Sequence, residues 1–154
     1  AALYDGYFFI WQNVIPVNNG TSFRCRTSAN GGDFYDQSDF SSYEWSGMTI
    51  ASSSSTVTPV YSGDVGLGVD EIHLTGPVSA TRGASGRVEM LGPHIANFTY
   101  VSSTLVYQNT SARIERADFS GARNSAAAVD AVRFYANSGD ILSGTITMYG
   151  LRNS

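Results

Sequence analysis

The feature that most restricts this chain is a two-residue alternation of apolar and polar side chains, interrupted again and again by Gly, Pro, Ser and Asn. Such alternation puts successive side chains on opposite faces of an extended backbone. The predicted strands are Tyr4–Val14, Thr21–Ser28, Ser42–Ala51, Val57–Tyr61, Val69–Thr75, Arg87–Leu91, Phe98–Tyr107, Ala112–Ala117 and Val129–Tyr135, with a last one around Thr145–Tyr149. Turn chemistry separates them: Asn18-Asn19-Gly20, Ser62-Gly63-Asp64, Thr75-Gly76-Pro77 and Gly92-Pro93. No long amphipathic helical pattern intervenes. About ten short strands in one chain of this length make an all-β sandwich or barrel. With first and last strands both reading as central, a jelly-roll-like β-sandwich is the expected arrangement, as one domain over residues 1–154.

Two local pairings are expected. Tyr7, Phe9 and Trp11 share one face of the first strand, and Phe8 and Ile10 the other. Apolar residues on both faces mark a central strand, or one that packs on another subunit. The turn at Asn18-Asn19-Gly20 suggests a hairpin between the first two strands. The tail, Val129–Leu151, reads in the same way: Val132 and Phe134 alternate with Arg133 and Tyr135, Asn137-Ser138-Gly139-Asp140 turns, and Thr145–Tyr149 resumes the alternation. A second hairpin is expected there.

Charge excludes some functions. Only 14% of residues are charged, the net charge is −4, and all nine cations are Arg, scattered along the chain. Phosphate-backbone binding needs a basic stripe, so no nucleic-acid partner is expected. No apolar run approaches the ~20 residues of a membrane-spanning helix, and no membrane insertion is expected. A single cysteine, Cys25, rules out an internal disulfide and any paired-cysteine metal site. It shares a face with Phe23, which reads as a small buried apolar residue.

Several groups are candidates for chemistry. His73 and His94 offer bases, yet no G-x-S-x-G elbow accompanies them. Carboxylates at Asp33, Glu44, Asp70, Glu71 and Glu89 can be paired on paper for glycoside hydrolysis, as in any chain of this size. Asp33, Asp36 and Asp39 recur every three residues in a Gly-rich loop. Hard oxygen ligands at such spacing suit calcium, though the D-x-D-x-D-G order is absent and a solvated acidic loop is the other reading. No other cofactor is expected. Phe34, Tyr35, Phe40, Tyr43 and Trp45 crowd the same loop and the strand after it. Aromatic faces beside carboxylates can stack on sugar rings and bind their hydroxyls, so Phe34, Tyr35, Tyr43 and Trp45 form a candidate glycan platform. Packing at a sandwich edge or subunit contact is the competing reading.

The tail carries a resemblance. Val132-Arg133-Phe134-Tyr135, Ser138-Gly139-Asp140-Ile141, Ser143-Gly144-Thr145-Ile146 and Leu151 resemble the C-terminal end of small β-rich virion proteins of tailed bacteriophages. Asp140 and Met148 stand where the pattern has Asn and Leu. Phe9-Ile10, Asn13-Val14-Ile15-Pro16 and Arg26–Gly32 match more loosely. The resemblance implies a virion location and a non-enzymatic tail-fibre, head-fibre or spike module. Such a module would assemble as a homotrimer, contact other virion proteins and bind host-surface polysaccharide. A capsid decoration protein, and a carbohydrate-binding module attached to a polysaccharide hydrolase, are the alternatives.

Overall fold

The described residues form ten strands: β1 (Gly6–Pro16), β2 (Phe23–Ser28), β3 (Tyr43–Ala51), β4 (Thr58–Gly63), β5 (Ile72–His73), β6 (Ala84–Leu91), β7 (Thr99–Gln108), β8 (Ile114–Arg123), β9 (Ala131–Ala136) and β10 (Ile141–Leu151). The computed structural model describes residues 4–33, 35, 42–52, 58–63 (backbone alone) and 70–152. Every pairing is antiparallel. A seven-stranded sheet runs β10-β1-β6-β7-β8-β3-β4, and a three-stranded sheet runs β5-β2-β9. The all-β, two-sheet expectation holds.

Alternation forms the strands because it buries one face. In β7, Thr99, Val101, Ser103, Leu105 and Tyr107 are buried, while Tyr100, Ser102 and Val106 between them are exposed. β3 does the same with Tyr43 and Trp45 inside and Glu44 and Ser46 outside. β1 is central, as its two-sided apolar sequence requires, with β10 on one side and β6 on the other. Phe9 lies opposite Met148 and Val88, and Trp11 opposite Ile146 and Gly86.

Both expected hairpins are replaced by crossings between sheets. β1 pairs with β10 and β6 but not β2, and β2 pairs with β9 and β5. Likewise β9 belongs to the small sheet and β10 to the large one. The two connections run side by side and bond to each other. Asn137 N donates to Ser22 O at 3.0 Å, and Ser22 N donates to Asn137 Oδ1 at 3.0 Å. Val17 N donates to Asp140 O at 2.9 Å, and Thr21 Oγ1 to Ser138 O at 3.2 Å. Gly139 takes φ of 71°, the left-handed region open to glycine, with Asn18 packed against it. The residues that read as hairpin turns therefore make a double-stranded corner.

The corner nests the pairs β1·β10, β2·β9 and β3·β8, as rolling up a long two-stranded ribbon would. A jelly-roll order is not established by this nesting. β6, β7 and β8 run as a meander within one sheet, and β6 and β7 separate β1 from β8.

The core lies where β2 and β9 cover β1. Trp11 meets Phe23 with ring centroids 5.2 Å apart and Phe134 at 5.4 Å, and Phe9 meets Phe134 at 4.9 Å, all edge to face. Such contacts add ~0.5–1.5 kcal/mol each beyond area burial. At the far side of the large sheet, Phe119 lies flat over its cross-strand partner Gly47. An added Cβ at Gly47 would meet that ring at 2.2 Å, so the glycine makes the room the aromatic fills. The predicted strand at Ala112–Ala117 runs on to Arg123 for a related reason. Gly121 lets Ile72 approach closely, and pairing with both β7 and β3 holds the Ser- and Gly-containing segment extended. The strand expected at Val69–Thr75 is only Ile72–His73.

Candidate functional site

The small sheet is shorter than the large one and leaves part of its inner face uncovered. Where β9 parts from β10, a groove of about 830 Å³ opens between the sheets. β9 supplies Val132 and Phe134 to one wall, and β10 supplies Ile146 and Met148 to the other. Tyr7, Phe9 and Met90 form the floor from β1 and β6. The rim is polar on one side, with His94 and Asp130. His94 Nε2 lies 3.6 Å from Asp5 Oδ1, and Asp130 Oδ1 accepts from Gly31 N at 2.9 Å. Val129 N donates to Pro93 O at 2.6 Å, which ties the segment before β9 to the loop after β6 and closes that end. An apolar floor with a few polar groups at its mouth is the usual make-up of a small-ligand site.

A second constellation lies on the outer face of the small sheet. Glu71 is its centre. It accepts from Arg24 Nε at 2.9 Å and from the Tyr135 hydroxyl, and Arg26 Nη2 lies 3.7 Å away. Arg26 also donates to Asp70, through Nη2 to Oδ2 at 2.6 Å and Nε to the carbonyl at 2.9 Å. The guanidiniums of Arg26 and Arg133 lie 5.2 and 5.4 Å from the centre of the Tyr135 ring. Burial, then the hydrogen bond and charge of Glu71, push the Tyr135 hydroxyl well above its usual range. His73, 3.7 Å from Glu71, stacks on Trp45. Burial first, and the Arg24 charge second, lower its pKa to about 3, so the imidazole is neutral. The same burial, helped by Glu71, raises the Cys25 thiol far above the reactive range. This cluster clamps β2, β5 and β9 together through paired charges.

The candidate residues from the sequence do not come together as one platform. Tyr43 is 0% exposed, and its hydroxyl accepts from Thr27 N at 2.8 Å. Trp45 is 8% exposed, between His73 and Phe119. Neither ring offers a face to a ligand, and this corrects the platform expectation for both. They share the inward face of β3, and β5 closes over them. Tyr35 is half-buried, with its hydroxyl against Gly32. Phe34 lies outside the described residues. Of the three aspartates, Asp33 is exposed, and Asp36 and Asp39 lie outside the described residues. Among the described residues no three His, Cys, Asp or Glu side chains group as metal ligands.

Sequence reading missed the groove. Its lining comes from β1, β6, β9, β10 and the segments around Pro93 and Ala128, which only the fold brings together. Met148 occupies an inward position of β10, yet it is 61% exposed, and that exposure is a property of the fold that the local alternation does not record. No family model, no curated protein and no solved structure matches this chain.

Proposed function

We propose that this chain is a non-enzymatic recognition module of a bacteriophage particle, the β-sandwich of a tail fibre, head fibre or spike. The groove between β9 and β10 holds its host-surface ligand. The groove itself carries the reading: a preformed apolar floor with Asp130 and His94 at its mouth. Part of its lining, Val132, Phe134, Ile146 and Met148, comes from the tail segment that resembles phage virion proteins. A sugar ring would lay its C–H face against Tyr7 and Phe134 and turn its hydroxyls to the rim. His73, one of the two histidines that the sequence offers as a base, sits in packed surroundings that hold it neutral and suppress its basicity, which favours binding over bond cleavage.

Ala128 lines the groove and is exposed, so a large residue there fills the site without entering the core. The test is retention of the labelled chain on host cells and on purified envelope polysaccharide. Binding by the wild type, and its loss in Ala128→Trp at an unchanged melting temperature, is the expected result. Equal binding by both proteins would remove the groove from the reading. Capture on empty capsids, with no retention on cells, would instead favour a decoration protein. Among the described residues no strand pairs with the outer edge of β10, and that edge is the feature that favours the second reading.

A further inference from the structure

We propose that two copies of this chain join edge to edge through β10, paired antiparallel about a two-fold axis at Ile146. The proposal is independent of the groove reading. β10 ends the seven-stranded sheet, and among the described residues no strand pairs with its outer side. An open edge of this kind presents a row of backbone N–H and C=O groups, a template for another strand. Folded proteins blunt long edges with Lys, Pro or charge, and none of these occurs from Ile141 to Leu151. The protection it does have is local. A bulge near Leu142 bends the first part of the strand, and Thr145–Leu151 pairs with β1 in regular register. Leu142, Met148 and Tyr149 are 64%, 61% and 55% exposed, an unusual outlay of apolar surface on one strand.

The two ends of the strand identify the occupant as a second copy. Asp140 precedes β10 and Arg152 follows it; both are exposed, and neither has an ion-pair partner among the described residues. They lie equally far from Ile146 along the chain. Antiparallel pairing about Ile146 therefore sets Asp140 against the partner's Arg152, and two-fold symmetry makes the contact twice. The bulge shifts one end by about one residue, ~3.4 Å, which an arginine side chain spans. A parallel pairing would set like charges together at both ends.

Light scattering and sedimentation equilibrium on the whole chain test this. The expected mass is twice 16.5 kDa. Thr147→Lys puts a charge on the edge without touching the core and is expected to raise the dissociation constant about tenfold or more. Asp140→Arg should raise it about tenfold, and adding Arg152→Asp should return it to within about threefold of wild type. The far-ultraviolet melting curve of each variant should match wild type. A single-chain or three-chain mass overturns the proposal. So does a dimer whose affinity ignores both Thr147→Lys and the exchange of charges.

Discussion

Trp45 and His73 lie face to face, with ring centroids 3.7 Å apart and planes inclined by 13°. Trp45 comes from β3 in the large sheet and His73 from β5 in the small one, so the stack is a weld between sheets. It also explains why the imidazole stays uncharged. The indole excludes water from one ring face, and Arg24 sits close by, held by Glu71.

That stack predicts a pH dependence. An unfolded histidine titrates near ~6.5, and His73 in the folded chain titrates at about 3. Between these values the unfolded chain binds the extra proton, so stability falls as pH drops through that window. Above the unfolded value the contribution is complete and flat. Urea unfolding should show a midpoint that declines between about pH 6.5 and 5, above the range in which most carboxylates titrate. His73→Gln should flatten that decline while lowering the midpoint at pH 8. A decline of the same slope in the variant would assign the effect elsewhere.

Substitution of the two buried aromatics of β3 should act on stability. Trp45→Ala removes a large core side chain and should cost about 3–5 kcal/mol by chemical denaturation. Tyr43→Phe keeps the ring but strands the Thr27 amide, at about 1–3 kcal/mol. A folded Trp45→Ala protein with native stability and weakened ligand binding would contradict the burial described above.

Cys25 reports on opening of the sandwich. It is fully buried between the sheets, with its thiol pKa raised by burial and by Glu71. An aromatic disulfide reagent at pH 8 should label it only as fast as the whole chain unfolds, and denaturant should raise the rate along with the unfolded fraction. Stoichiometric labelling within seconds in native buffer would show that β2 separates from β1 without global unfolding.

Strand positions were legible because alternation is local. Tyr43, Trp45 and the Val101–Tyr107 series each announced a strand with one buried face, and the ladder bears this out. Strand partners were not legible. Asn18-Asn19-Gly20 and Asn137–Asp140 have the composition of hairpin turns, because a corner and a hairpin both need positive φ and short polar side chains. Which one forms depends on whether the next strand gains more by pairing back or by crossing to the facing sheet. That balance is set by residues far away in the chain, such as Phe23 and Phe134 closing on Trp11.

The candidate site divides in the same way. The sequence by itself determined that this chain is built of strands, which residues alternate, and that its charge is sparse and scattered. Only the tertiary structure decided that Tyr43 and Trp45 face inward, that Met148 and Phe134 line a groove, and that among the described residues no strand pairs with the outer side of β10. Alternation records that one side of a strand is covered. It carries no record of what does the covering, because burial is a property of surfaces that meet only after the chain has folded.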